Sequence, residues 1–526
     1  MKYSLFLLSL LFFCIISCKD KPDIPDIYSG DTANTLVNPY TGNFLYGSNM
    51  GWKNQNWEDE DIADILTGNP GRKWEGVGVN SLRPALYYDY VQEWGYAAKV
   101  HTFKYFSGRG AKNNVLFIGD KPTDQHREKK QYVSGMPPES YENLYEPVWV
   151  DDKVNEKNYY AMYVYELVKK YKDYVKFWEI KNEPDFTSTE CGWSGKGSDC
   201  NWWDKDPSPE ELENFYAPIY SYIRMLRISY EVIKSVDPHA YICVGGIGYE
   251  SFLDAILRNT DNPDNGKVTD NYPLRGGAWF DCLSFHIYPM YYIRSWTPQG
   301  WNLFRHSDAA VAAIENQTDA YIELLEKYGY GSKYPQKEMI ISETNVPNKQ
   351  IEDFIGSVVA QRNYLIKLAV AAQKKQIRGV YVFGPWNNNE LNEDGATYDF
   401  MGFYLPLPDS PDGAGLRMNE SGIAWRTASR LLGDRKYNET ETARLNLPAQ
   451  IDGGAFYSAI YRDYMYVLWA KTTKDLSEEV SAAYSFPQSM NVKEMTSFSW
   501  NQQETGINGN TVQLTGSPVF IKINPK

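Results

Sequence analysis

Eight short runs of strand-forming residues, separated by longer amphipathic stretches, constrain the fold of this chain more than any other feature. The runs are FLYGSNMG (44–51), NSLRPALYY (80–88), NVLFIGD (114–120), VKFWEIKNE (175–183), AYICVGGIG (240–248), DCLSFHIYP (281–289), EMIISETNV (338–346) and RGVYVFGPW (378–386). Between them, KNYYAMYVYELVKKYKDY, ELENFYAPIYSYIRMLRISYEVIKSV, DAYIELLEKYGY and FIGSVVAQRNYLIKLAVAAQKKQ repeat apolar residues every three or four positions, the period of a helix. Strand then helix, eight times over, predicts an α/β fold of (β/α)8 barrel type across residues 40–432. Such barrels carry their working residues at the C-terminal ends of the strands. From 433 to 526 the pattern changes to alternating runs such as AFYSAIYRDYMYVLWAKT and TVQLTGSPVFIKI, separated by Gly, Asn and Asp turns. That segment predicts a small antiparallel β-sandwich. Two long connections, 120–157 and 185–209, emerge at the working face, where long loops tend to be functional.

The N-terminus belongs to export rather than to the fold. Lys2 precedes an apolar run, Leu5 to Ile16, too short to span a bilayer, and Ile16-Ser17-Cys18 follows. This resembles the lipobox of bacterial lipoproteins, which implies a signal at 1–17 and a lipidated Cys18; a plain secretory signal is the alternative. Residues 18–39, opening KDKPDIPD after the cysteine, read as a polar tether. Membrane contact is then expected only through the N-terminal lipid, on the periplasmic or outer face of a bacterial membrane. Cys191 and Cys200 bracket the loop CGWSGKGSDC, which an exported chain has the oxidising surroundings to close as a disulfide. Cys243 and Cys282 lie in apolar runs and read as buried small hydrophobes. No Cys/His spacing matches a metal site, and no cofactor is implied. A net charge of −14 argues against a nucleic-acid partner.

Three carboxylates crowd the fourth run, and their positions separate their roles. Alternation puts Glu179, Lys181 and Glu183 on one face. Pro184 has no N–H with which to continue a ladder, so the strand is expected to end at Glu183, leaving Asp185 in the loop. Glu183 is then at the rim. Glu179 lies deeper and needs a partner, either Lys181 or an arginine from a neighbouring strand. In the seventh run Glu343 ends the strand and Glu338 begins it, so Glu183 and Glu343 share the top of the barrel. Two carboxyls facing each other about 5 Å apart are what a retaining glycosidase requires, one as acid/base and one as nucleophile.

Asn182-Glu183-Pro184 ending strand 4, with Glu343 ending strand 7, resembles clan A of the glycoside hydrolases, in particular the branches around families 39, 5 and 30 with a C-terminal β-sandwich. The resemblance implies Glu183 as acid/base and Glu343 as nucleophile. It implies that Asn182 binds the substrate's 2-hydroxyl and that Arg83 steadies the nucleophile. It also implies that Tyr288 hydrogen-bonds Glu343, that His286 lines the sugar site and that Trp386 stacks on a sugar. Where the family usually has an aromatic, this chain has Lys181, read as barrel packing. Arg83 has the structural alternative of pairing Glu179, and His286 that of a near-core histidine. The mechanism implied starts with Glu183 protonated, its pKa raised by its surroundings. With 15% aromatic residues, and Trp193, Trp202, Trp203, Trp296 and Trp301 in the loops after strands 4 and 6, the expected partner is a carbohydrate. The expected function is hydrolysis of a β-linked polysaccharide or oligosaccharide, endo-acting. The alternatives are an exo-acting β-xylosidase-like enzyme and a non-catalytic glycan-binding surface lipoprotein.

Overall fold

A computed structural model describes residues 37–51 and 56–524, so Cys18 and the leader lie outside the described residues. Among the described residues, no helix is long and apolar enough to cross a membrane. Eight strands form a parallel sheet: β1 (Leu45–Asn49), β2 (Ser81–Arg83), β3 (Asn114–Ile118), β4 (Val175–Ile180), β5 (Tyr241–Val244), β6 (Cys282–His286), β7 (Glu338–Thr344) and β8 (Gly379–Val382). Their order is β2-β1-β8-β7-β6-β5-β4-β3. The ends of the sheet meet through a parallel bridge between Ala85 and Phe117. There Pro84 accepts from the Phe117 amide and Leu86 donates to its carbonyl, both at 3.3 Å. β2 stops at Arg83 because Pro84 can accept but not donate. The result is the (β/α)8 barrel expected from the alternating pattern.

The helices α1 (Asp59–Thr67), α2 (Tyr88–Trp94), α3 (Val100–Gly108), α4 (Tyr159–Tyr171), α5 (Ile219–Val236), α6 (Glu250–Arg258), α7 (Ser307–Lys327), α8 (Val358–Lys374) and α9 (Glu420–Leu432) lie between and after the strands. Side-chain oxygens of Asn158 and Ser357 cap α4 and α8 by accepting from the amides of Ala161 and Ala360. Two expectations shift. The stretch ELENFYAP is not helical, because Tyr216 takes a left-handed φ of +48° and Pro218 is the N-cap, so α5 begins at Ile219. Conversely, α7 starts at Ser307, well before DAYIELLEKYGY, with His306 as its cap.

Inside the barrel an apolar floor that includes Leu45, Val115, Phe177, Cys243, Cys282 and Ile340 lies below a polar layer. Both cysteines are buried there as small hydrophobes. After α9 come β9 (Arg435–Tyr437), β10 (Ile451–Ser458), β11 (Asp463–Ala470), β12 (Ser481–Ser485), β13 (Glu494–Phe498), β14 (Glu504–Asn508), β15 (Thr511–Thr515) and β16 (Val519–Ile523). Six make one antiparallel sheet, β9-β10-β11-β16-β13-β14, and β12 pairs with β15. This β-sandwich shares the barrel's core, since Phe456, Val467, Trp469 and Phe520 belong to the same apolar cluster as the barrel helices.

A buried polar lock reinforces that junction. Asp308 of α7 accepts from Lys367 Nζ of α8 at 2.8 Å, from Trp469 Nε1 at 2.8 Å and from the Thr472 amide at 2.7 Å. Lys367 is fully buried. Replacing Asp308 by Ala would leave that ammonium with only Glu478, 4.0 Å away, as a carboxylate partner, a loss toward the lower end of the roughly 3–5 kcal/mol that breaking a buried pair costs. Urea titration of Asp308→Ala should show a clearly lower midpoint, with barrel and sandwich signals falling together. An unchanged midpoint would mean that the lock contributes nothing.

Candidate active site

Every strand top contributes to a cleft of about 1530 Å³, and its organising element is Arg83 at the end of β2. This buried guanidinium donates from Nε to Glu179 (2.7 Å) and from Nη1 to Asn49 (2.8 Å) and Glu343 (2.7 Å). Its Nη2 donates to Asn182 Oδ1 at 2.6 Å. Arg83 therefore pairs the deep carboxylate and holds the rim carboxylate as well, joining two roles set out as alternatives. Glu179 also accepts from Ser284 Oγ (2.7 Å) and Ser342 Oγ (2.8 Å), so its buried charge is fully hydrogen-bonded. Burial works against the Arg83 charge, but Glu179 and Glu343 more than offset this and hold its pKa above the ordinary arginine value.

Lys181 does not serve Glu179. Its fully buried ammonium pairs with Asp120, 2.6 Å away at the cleft margin after β3. It also donates to the Glu139 carbonyl of the 120–157 loop at 3.2 Å. Barrel packing is thus an incomplete account of Lys181: it is the counter-ion of a cleft carboxylate. Burial keeps the Asp120 pKa above the usual aspartate value in spite of that partner.

Backbone geometry aims the two rim glutamates. β4 ends at Ile180, three residues before the expected end at Glu183. Lys181 and Glu183 take left-handed φ values of +66° and +46°, which breaks the extended run ahead of Pro184. Strain of this kind costs on the order of 1–3 kcal/mol per residue and concentrates at functional sites. It turns the chain from β3, where the Lys181 amide donates to Ile118 (2.7 Å), to β5, where the Glu183 amide donates to Gly245 (2.7 Å). On β7, Ile340 and Ser342 face the barrel interior, so strict alternation would send Glu343 outward. The register against β6 shifts between Ile341 and Glu343, and this irregularity swings Glu343 into the mouth.

There Glu343 accepts from Arg83 on Oε1 and from Tyr288 Oη on Oε2, each at 2.7 Å. Glu183 Oε1 lies 2.8 Å from His286 Nδ1. Ligand-type atoms of Glu183, His286 and Glu343 all lie within 4.8 Å of one another, so the two carboxylates face each other across a gap of that size or less. The same triad has donor atoms for a metal ion, but Arg83 already places a fixed positive charge on Glu343.

One expectation is reversed. Burial pushes the Glu183 pKa up, but the hydrogen bond from His286, that ring's charge and Arg83 together hold it below the ordinary glutamate value. Burial in turn pushes the His286 pKa down, and Glu343 with the Glu183 hydrogen bond raises it above the ordinary value. The opposite shifts favour an ionised Glu183 that accepts a hydrogen bond from the imidazole in the empty cleft. His286 is neither a bystander in the core nor simply part of the sugar wall; it is the partner of Glu183. Its Nε2 is buried without a partner and faces Gly246, where a Cβ would lie 2.2 Å away.

Trp386 does not line the described cleft. β8 ends at Val382, and the Trp386 ring packs half-buried on the core beside Gly51. Phe383 and Tyr398 take its place, each edge-on to Tyr288 at centroid distances of 5.9 and 5.0 Å. Trp193 reaches the cleft from the 185–209 loop, which the Cys191–Cys200 disulfide closes, whereas Trp202 is buried. Asp185 was read from the sequence as a loop carboxylate beyond Pro184, whereas Asp120, at the end of the third run, was not singled out. Tyr398 had no such signal, since it comes from a short 3-10 turn, Thr397–Phe400, in the long connection after β8.

Asp185 is buried and accepts from the amides of Gly248 (2.8 Å) and Tyr249 (2.9 Å), tying the β4 loop to the start of α6. Burial raises its pKa from 3.8 to about 7, against those two amide hydrogen bonds. The folded state then binds more protons than the unfolded state between those values, so this group's contribution to stability falls as pH rises from about 4 to about 7. Asp185→Asn should flatten that decline in a series of urea midpoints against pH. An identical slope in the variant would remove Asp185 as its source.

No protein-family model matches the chain, and no curated protein matches it either. Solved structures share its architecture. A glucosidase from Croceicoccus marinus is 13% identical over 93% of this chain and 98% of its own, with a TM-score of 0.51. The catalytic domain of GH30 xylanase C from Talaromyces cellulolyticus is 12% identical over 93% and 99%, with a TM-score of 0.50. The GH51 alpha-L-arabinofuranosidase from Thermotoga petrophila is 12% identical over 93% and 98%, with a TM-score of 0.51. At these identities the likeness is one of fold.

Proposed function

We propose that this chain is a glycoside hydrolase of the clan A type that cleaves a β-linked glycan with retention of configuration. The observation that carries the proposal is the pair of carboxylates, Glu183 and Glu343, within 4.8 Å across the cleft. Retaining enzymes hold their two carboxyls about 5–5.5 Å apart, whereas inverting ones need room for a water molecule between. That solved structures with this fold include a glucosidase, a xylanase and an arabinofuranosidase supports the reaction class.

In this reading Glu343 attacks the anomeric carbon, oriented by Arg83 and Tyr288. Asn182, whose Oδ1 is held by Arg83, turns its Nδ2 to the sugar's 2-hydroxyl. Glu183 passes a proton to the leaving oxygen and then takes one from the water that releases the glycosyl-enzyme. The proton reaches Glu183 from His286 along their hydrogen bond, so the two titrate as one unit. Seven carboxylates against four lysine and arginine side chains and His286 line the cleft, an excess of acids that favours a neutral glycan over a polyanionic one. The Cys191–Cys200 disulfide supports an exported chain, in keeping with lipid anchoring through Cys18.

Wild-type protein assayed on a panel of neutral β-linked glycans should release product of retained configuration by NMR. Glu343→Ala should lose activity by about 10³-fold or more on the order set by nucleophile removal, and azide should restore part of it as glycosyl azide. Glu183→Ala should slow substrates with poor leaving groups far more than activated aryl glycosides. Equal losses on both would remove Glu183 from the acid role.

A pH profile tests the shared proton. With His286 present, the alkaline limb of kcat/KM reports the pair, above the ordinary histidine value. His286→Asn removes the ring that holds this proton, and the limb should move to the acid side. A limb that stays in place would separate His286 from proton delivery.

A further inference from the structure

Beyond the cleft, the structure carries an exposed aromatic surface that the reaction does not use. Between β6 and α7 the chain forms a two-stranded hairpin, Arg294–Thr297 against Gly300–Leu303. Trp296 pairs with Trp301 and Arg294 with Leu303, so these four side chains share one face. The two indoles meet edge to face, with centroids 5.4 Å apart, and the Arg294 guanidinium covers Trp301 at 4.9 Å. Trp296 is 67% exposed and Trp301 54% exposed, which is costly for rings of this size unless something binds them.

The surface continues the cleft. Tyr398 is edge-on to Tyr288 and its hydroxyl lies 3.3 Å from that of Tyr291. Tyr291 packs on Phe354, and Arg294 lies over both Phe354 (5.6 Å) and Trp301. A line of aromatic rings, bridged by Arg294 between Phe354 and Trp301, thus runs from the carboxylate pair to the hairpin, with Tyr291 and Arg294 themselves lining the cleft. The hairpin is also held in place from its base. The Phe304 amide donates to Ile293 (3.0 Å), Arg305 pairs with Asp475 of the sandwich at 2.6 Å, and the Leu476 amide donates to Arg305 (3.1 Å). A surface fixed in this way loses little conformational entropy on binding.

We infer that the Trp296–Trp301 hairpin is a distal platform for sugar rings of a neutral polysaccharide whose chain extends out of the cleft, an inference that rests on the glycosidase reading above. The apolar face of a pyranose matches an exposed indole, and the line of rings gives the chain a path to both.

The test compares the full chain with W296A/W301A and with the conservative W296F/W301F. Hydroxyethyl cellulose, laminarin, xylan, mannan and galactan serve as polymers, with the matching aryl glycosides as short substrates. On whichever polymer is cleaved, W296A/W301A should lose about tenfold more kcat/KM than on the aryl glycoside, mostly through KM, and W296F/W301F should recover most of it. Electrophoresis of the Glu343→Ala protein through gels containing each polymer should show retardation that W296A/W301A abolishes. Equal losses on polymer and aryl glycoside with unchanged retardation would overturn the platform and leave the glycosidase reading standing. Trp-dependent retardation without hydrolysis by wild type would uphold the platform and overturn that reading. Neither binding nor hydrolysis overturns both. Trp-dependent binding to vesicles of phosphatidylethanolamine and phosphatidylglycerol, without retardation by any polymer, would assign the surface to a membrane and overturn the inference.

Discussion

One guanidinium organises this molecule's working end. Arg83 joins four strands at once, because its donors reach Asn49 on β1, Glu179 on β4, Glu343 on β7 and Asn182 just beyond β4. A lysine has one ammonium point and could not serve that geometry; the planar fork can. The price of burying Glu179 is met by Arg83 and two serines, and the same cation then holds Glu343 from below. Structural and chemical demands therefore converge on one side chain, and the polar layer above the apolar floor follows from it.

Glu183 and Glu343 are brought together by departures from regular strand geometry, not by strands that simply end. β4 is broken by two left-handed residues, and β7 changes register one residue before its carboxylate. Departures of this kind are tolerated because neighbours over-determine them: the amides just beyond β4 find carbonyls at the end of β3 and then just beyond β5. The proton economy of the pair likewise depends on a neighbour. A carboxyl buried beside Arg83 alone would have titrated differently from one that faces an imidazole wedged against Gly246.

Much of the fold was legible in the sequence, because a barrel repeats one pattern of buried strand and amphipathic helix eight times. The residues at strand tops, Arg83, Glu183, His286, Tyr288 and Glu343, do gather at one cleft, since position along a strand translates directly into height in a barrel. What was not legible depends on three-dimensional pairing. The partner of Lys181 lies on another strand, the inward turn of Glu343 comes from a register shift, and the protonation of Glu183 is set by a histidine about a hundred residues away. Trp386 shows the limit of position alone: after Val382 the chain leaves the strand, and the ring turns to the core.

The shared core between barrel and sandwich has a consequence for how such a chain can change over evolutionary time. Trp469 and Val467 lie in the same apolar cluster as the barrel helices, and a sandwich loop clasps the base of the Trp296–Trp301 hairpin. Appended modules joined by a linker can be lost, duplicated or exchanged without disturbing their neighbour. Here a cut after α9 would strip one wall from the barrel helices and release a loop on the opposite side of the junction. Barrel and sandwich are thus physically one unit, and a change at either side of their shared core is felt by the other.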